Sequence, residues 1–288
     1  MSGGSSAYPA PLYPLLYEPL VRRALEEDLG RAGDLTSDAI LPANLPGEAK
    51  VVARAAGRVA GLPVALSAFS LLDPAIAVET LAVDGEDVEA GSVLSIVRGS
   101  ARSILSAERT ALNLLGRLCG IATVTRDMAA LVAPYGAHIV CTRKTTPGMR
   151  FLEKFAVRCG GGHNHRFGLD DAVLIKDNHI ALAGSLETAV ERARRSVGHL
   201  VKIEVEVDSL DQLREALDLG VDVVLLDNMP LETLRQAVAM AKGRAITEAS
   251  GGITPRTAAD IAATGVDLLS VGWLTHSAPS LDVALDVA

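Results

Sequence analysis

The chain has 288 residues, 49% hydrophobic and 3% aromatic, enough for one large α/β domain or one with a smaller companion, and too much core for a marginal mini-fold. A formal net charge of −8 and a pI near 5.3 exclude the basic footprint of a nucleic-acid binder. Three cysteines, Cys119, Cys141 and Cys159, form no CxxC pair, which argues against a disulfide framework or thiolate zinc and for a reducing cytoplasm.

Residues 1–20 carry four prolines and neither a basic leader nor a continuous apolar stretch, so they read as a flexible lead-in and not as a signal peptide. No apolar run reaches the roughly 18 residues of a membrane span. Residues 20–29 have helical apolar spacing, with Gly30 as the stop. Residues 48–97 read as strands and turns around a short apolar helix near 63–72, with Asp84-Gly85 as a hairpin signal. Residues 103–130 turn strongly helical, and the domain boundary is expected there: 21–112 in a small first domain, 113–276 in the second.

From residue 137 onward, apolar runs at 137–141, 172–175, 201–207, 221–226, 245–249 and 268–271 alternate with amphipathic segments, the pattern of a parallel sheet covered by helices. Glu206, Asp227, Ser250 and Gly272 follow one another at intervals of 21, 23 and 22 residues, each at or just past a strand's C-terminal end, where parallel barrels do their chemistry. The predicted fold class is α/β, with a barrel preferred over an open doubly wound sheet because no GxGxxG follows an early strand.

The stretch 141–180, CTRKTTPGMRFLEKFAVRCGGGHNHRFGLDDAVLIKDNHI, carries most of the chemistry. Between 141 and 166 it holds six cations (Arg143, Lys144, Arg150, Lys154, Arg158, Arg166) against one carboxylate, Glu153. In an acidic chain this marks a site for a small, multiply anionic ligand. Arg143 and Lys144 leave one strand, Lys176 ends the next, and His165-Arg166 sit in the loop between them. Arginine forks and lysine point charges together suit several carboxylates or phosphates. A solvated charged loop is the alternative, weakened because three of these cations stand at two strand ends. His163-Asn164-His165 could in principle ligate zinc, but it follows three glycines instead of an apolar strand and precedes a cation. His165 is therefore assigned as a hydrogen-bond donor to an anion and His163 as structural.

Glu204 and Glu206 alternate with apolar residues and so share one face of a strand. Glu206 and Asp227 could hold ribose hydroxyls or a Mg²⁺ on diphosphate oxygens, or serve as ion-pair partners of Lys144 or Lys176. Ser250-Gly251-Gly252 and Ser270-Val271-Gly272 end the last two strands, where exposed backbone N–H groups suit a phosphate.

ERTALNLLGRLCGIAT, TRKTTPGMRFLEKFAVRCGGGHNHRFGLDDAVLIKDNHI, EVEVDSL, LLDNM, EASGGIT and GVDLLSVGWLTHS, in that order and with GDLTS before them, closely resemble the quinolinate phosphoribosyltransferase family from about Glu27 to the C-terminus. The resemblance implies an N-terminal open-faced α/β sandwich domain plus an incomplete α/β barrel, with residues 277–288 returning to the sandwich. It implies transfer of the phosphoribosyl group of 5-phosphoribosyl 1-pyrophosphate (PRPP) to quinolinate with decarboxylation, giving nicotinate mononucleotide, CO2 and diphosphate. It also implies a homodimer whose sandwich domains cover the partner's barrel, a hexamer being left open; the acidic charge and the lack of a long apolar run already argue against nucleic acid and membrane as partners. Arg143, His165, Arg166 and Lys176 would bind quinolinate, with Arg109 supplied across the dimer. Lys144, Glu206 and Asp227 would be catalytic and contact PRPP, whose 5′-phosphate end would meet Ser250, Gly251, Gly252, Gly272 and His276. Mg²⁺ would arrive mainly on PRPP, helped by Glu206 and Asp227, without a dedicated protein site. Cys119 departs from the family's usual serine, on the helix side of its motif.

Overall fold

The computed structural model describes residues 10–287; the first nine residues of the expected lead-in lie outside them. The chain divides into two compact units, one of residues up to 126 with 151–161 and 277 onward, the other of 127–150 with 162–276.

In the first unit the opening helix α1 spans Pro14–Leu29, six residues longer at its start than the predicted 20–29. Proline suits the first helical turn, and Pro19 forfeits only one bond, to the Leu15 carbonyl. Tyr17, Val21 and Leu25, four residues apart, are buried and hold the helix onto α3 (Leu62–Leu72). Within GDLTS, Asp34 is the N-cap of α2 (Leu35–Ile40), accepting from the Thr36 and Ser37 amides at 3.1 and 3.0 Å. Bonds from Ser37 hold this carboxyl below the usual carboxylate range.

The unit's sheet is antiparallel: β1 (Pro46–Ala53) lies between β5 (Val93–Ser100) and the closing strand Val283–Val287, and β3 (Ala77–Thr80) flanks β5. Asp84 and Gly85 do sit in a turn, Glu86 N–H donating to Val83 O at 3.1 Å. The next strand, β4 (Asp87–Val88), pairs with β2 (Gly57–Arg58) and makes no hairpin with β3.

The helix α4 runs unbroken over Ala101–Val132, so the expected break at 112/113 falls inside a continuous helix and the division lies later, after residue 126. Gly116 and Gly120, one turn apart on α4, let the returning chain approach: a Cβ on Gly120 would stand 2.0 Å from the Pro279 carbonyl. The Leu281 amide donates to Gly116 O at 2.9 Å. Cys119 accepts from the Ala60 amide at 3.3 Å and donates to the Ala60 carbonyl at 3.6 Å, two bonds that a serine hydroxyl in its place could also make. The helix α5 (Arg150–Cys159) packs here too. Its Glu153, fully buried, pairs with Arg117 of α4 at 2.8 Å.

The second unit holds one six-stranded parallel sheet, ordered β6-β11-β10-β9-β8-β7: β6 is His138–Val140, β7 Val173–Ile175, β8 Ile203–Val207, β9 Val223–Asp227, β10 Ile246–Ser250 and β11 Leu268–Ser270. Every predicted apolar run in this part of the chain is one of these strands. The connecting helices are α6 (Asp177–Ala183), α7 (Leu186–Ser196), α8 (Leu210–Asp218), α9 (Leu231–Ala241), α10 (Ala258–Ala262) and α11 (Trp273–His276). This is a barrel-like sheet with two strands fewer than the standard eight. His163 extends the β6 edge by a parallel bridge to Val140, its amide donating to Ile139 O at 2.8 Å.

Candidate active site

The strand ends of the second unit surround a cavity of about 460 Å³ lined by Thr142, Arg143, Lys144, His165, Arg166, Leu174, Lys176, Glu206, Leu225, Asp227, Glu248, Ser250 and Ser270. A larger hollow of about 730 Å³ in the first unit, between 43–48 and 98–100, offers as side-chain charge only Glu48 and Arg98, which already pair with each other. The chemistry therefore belongs to the smaller one.

Thr142, Arg143 and Lys144 leave β6 in a turn in which Thr142 Oγ1 accepts the Lys144 amide at 3.0 Å. The Lys144 carbonyl accepts from Thr275 Oγ1 of α11 at 2.8 Å, tying two loops together. Arg166 Nη1 donates to Ala172 O at 3.3 Å. Burial, and then the neighbouring charge of Arg143, lower its pKa from the ordinary guanidinium value. The Nε atoms of Arg143 and Arg166 are buried without hydrogen-bond partners, so donors are left over for an anion.

Lys176 ends β7 and pairs with Glu206 of β8, one of the two bland partnerships that the sequence left open. Its amide donates to His179 Nδ1 at 2.9 Å, so His179 caps α6. Asp227 ends β9 and accepts from Asn228 Nδ2 at 2.8 Å. Asn228 has φ 51°, the one non-glycine among the described residues in the left-handed region, and its amide donates to Ser250 O at 2.9 Å. Gly251, at φ +100°, admits no side chain: a Cβ there would stand 2.1 Å from Asn228 Oδ1.

Eight predicted site residues thus line one cavity: Arg143, Lys144, His165, Arg166, Lys176, Glu206, Asp227 and Ser250. Gly251 and Gly252 continue from Ser250, Gly272 abuts Lys144 and Thr142, and His276 ends α11. Arg109 lies on α4 of the first unit, its side chain 64% exposed and 3.6 Å from Glu108. Lys154 and Arg158 of the cation-rich stretch do not belong to this site. Both are on α5, and Lys154 is 1% exposed in the first unit.

Sequence reading did not single out Glu248, although the alternation that pairs Glu204 with Glu206 also pairs Glu248 with Ser250 on β10. His165 Nε2 is 2.8 Å from Glu204 Oε2 and 3.7 Å from Glu248 Oε1. Both glutamates are buried, 7% and 2% exposed, and Oε1 of each makes no hydrogen bond, the Glu248 Oε1 being the atom nearest His165. Burial first, and then the Glu204 charge, push the Glu248 carboxyl up to about 7. The other histidine of His163-Asn164-His165, His163, stacks on His138 with ring centroids 4.6 Å apart.

Two family models match the chain. The quinolinate phosphoribosyl transferase N-terminal domain matches residues 34–119 and the C-terminal domain 121–286. The chain is 45% identical over 273 residues, 95% of it and 94% of its relative, to a probable nicotinate-nucleotide pyrophosphorylase [carboxylating] of Bacillus subtilis. It is 45% identical over 275 residues, covering 93% and 95% of the two chains, to the nicotinate-nucleotide pyrophosphorylase [carboxylating] of Mycobacterium leprae. The crystal structure of NadC from Streptococcus pyogenes superposes with a TM-score of 0.93 at 38% identity over 97% of this chain and 99% of that one. With family models matching 34–119 and 121–286 and relatives 45% identical over nearly their whole length, the protein belongs to the quinolinate phosphoribosyl transferase family.

Proposed function

We propose that the cavity at the strand ends of the second unit is where this family member transfers the phosphoribosyl group of PRPP to quinolinate and decarboxylates the adduct, releasing nicotinate mononucleotide, CO2 and diphosphate. The observation that carries the assignment is the convergence of Arg143, His165, Arg166 and Lys176 with Glu206 and Asp227 on one cavity. The first four supply the donors for two carboxylates, and the unfilled Nε atoms of both arginines favour a planar, doubly anionic ligand.

Quinolinate nitrogen attacks C1 of the ribose as diphosphate departs. Glu206 and Asp227, at neighbouring strand ends, orient the donor and stabilise positive charge developing at C1. Lys144 neutralises diphosphate, and the turns at Ser250, Gly251, Gly252 and Gly272, with His276, receive the 5′-phosphate. The oxygen donors of Glu206 and Asp227 fit a hard cation, so these two would hold Mg²⁺ carried in on PRPP, which supplies charge neutralisation at the leaving group. The attacking nitrogen becomes cationic, and this favours loss of the adjacent C2 carboxylate.

Arg109, exposed on α4, is assigned to the quinolinate site of a partner copy, making the working unit a homodimer. Among the described residues no helix is long and apolar enough to cross a membrane. Three free thiols support a cytoplasmic setting. The test is mass-spectrometric detection of nicotinate mononucleotide from quinolinate, PRPP and Mg²⁺, with nicotinate as parallel substrate. Product from quinolinate alone is expected; product only from nicotinate would transfer the reading to a related phosphoribosyltransferase.

A further inference from the structure

The proposed reaction takes up a proton that the cationic cluster is poorly placed to supply. When the C2 carboxylate leaves as CO2, its bonding electron pair stays on C2, and the product exists only once that carbon has gained hydrogen. Guanidinium groups do not give up protons in proteins, which removes Arg143 and Arg166. Lys176 is engaged by Glu206, Lys144 is assigned to diphosphate, and His165 Nε2 faces Glu204 Oε2 at 2.8 Å.

Glu248 remains. It stands on β10 two residues before Ser250, and both line the cavity, whereas Glu204 lies outside the lining. The groups facing Glu248 are Glu204 of β8, His165 of the loop before β7, the Ser270 hydroxyl of β11 and, from β9, the apolar Leu225. Two carboxylates so deeply buried, with one imidazole between them, cannot both be ionised cheaply beside a site for a dianion. One proton shared by this trio relieves the conflict, and Glu248 is the carboxylate of the pair that meets the cavity; its Oε1 makes no hydrogen bond and stands 3.7 Å from His165 Nε2.

We propose that Glu248 is the acid of the decarboxylation. Its carboxyl O–H bond breaks and the proton joins the electron pair left on C2 as CO2 departs, forming the C2–H bond. The new carboxylate is compensated by His165 and regains its proton from water after the product leaves. Glu204 acts through His165 as a positioning residue, fixing the imidazole and disfavouring a second negative charge at Glu248.

The inference rests on the quinolinate reading of the cavity, and its test keeps the two separable. The parent enzyme, Glu248→Gln and Glu248→Asp are compared with quinolinate, PRPP and Mg²⁺, measuring quinolinate affinity by calorimetry and release of diphosphate and of CO2 separately across neutral and alkaline pH. Glutamine is expected to preserve quinolinate affinity and diphosphate release while slowing nicotinate mononucleotide formation about 10²–10⁴-fold, the range of general-acid catalysis. N-ribosylated quinolinate should then accumulate. In the parent, turnover should fall as pH rises through the Glu248 titration, a limb kept by aspartate and absent with glutamine. CO2 release by Glu248→Gln at the parent rate and with the parent pH profile would overturn the proposal. So would equal loss of binding and of both steps in the two variants, since Glu248 would then be a wall of the cavity and not its acid. A parent that makes no nicotinate mononucleotide from quinolinate would sink the reaction itself, and the acid assignment with it.

Discussion

Gly272 lies against the side chain of Lys144, so close that a β-carbon would come within 2.9 Å of Lys144 Cδ and 3.4 Å of Thr142 Oγ1. Gly272 is not among the glycines with positive φ, so alanine suits the backbone there, and the nearest atom belongs to a flexible chain. Gly272→Ala should therefore fold with a Tm close to the parent's while displacing the Lys144 ammonium. A KM for PRPP raised about 10-fold, or roughly 1.4 kcal/mol of lost binding, with little change for quinolinate, is the expected result of steady-state kinetics.

Arg143→Ala and Arg166→Ala should weaken quinolinate binding far more than PRPP binding, by about 2–3 kcal/mol for each charge-assisted bond lost in a buried setting. Isothermal titration with each ligand separately reads this out; equal losses for both would contradict the division of the cavity.

Arg109→Ala homodimers should be inactive with quinolinate, yet mixing them with dimers of a cavity variant such as Lys144→Ala should recover activity once subunits exchange. Each hybrid would carry one site with an intact cavity facing an intact Arg109. Failure of recovery, with exchange verified by native mass spectrometry, would remove the partner's arginine from the site.

The burial of Glu248 makes stability depend on pH with a definite sign. Its carboxyl titrates at about 7 in the folded protein, above its ordinary value of 4.5, so unfolding releases a proton between those values. Its contribution is fully present below about 4.5 and is lost as pH rises through 7, a cost on the order of a few kcal/mol at most. Thermal melts of the ligand-free protein should fall across this interval, and Glu248→Gln should flatten that fall.

Much of the second unit was readable in the chain because its strands are parallel and buried on both faces, giving continuous apolar runs with polar ends. At those ends Glu206, Asp227 and Ser250 followed from their spacing, and Arg143, Lys144, His165, Arg166 and Lys176 from the local excess of cations in an acidic chain. Other features depended on where distant segments travel. Lys154 and Arg158 look like neighbours of Arg143 and Arg166 in sequence, but α5 carries them into the first unit. Glu248 reads as one acidic residue in ITEAS; only the fold sets it beside His165. The start of α1 was obscured by Pro14 and Pro19, the first of which is a good opening residue for a helix and the second a tolerated loss.

The backbone passes between the two units four times, at 126/127, 150/151, 161/162 and 276/277. During synthesis the first unit therefore cannot close when its first 126 residues have emerged: α5 follows later, and the strand that edges β1 comes only with residues 283–287. Neither unit can be recovered as an uninterrupted fragment, removal of residues 277–288 strikes the unit that also holds residues 14–126, and the first unit gains its full set of contacts only after the second has been made.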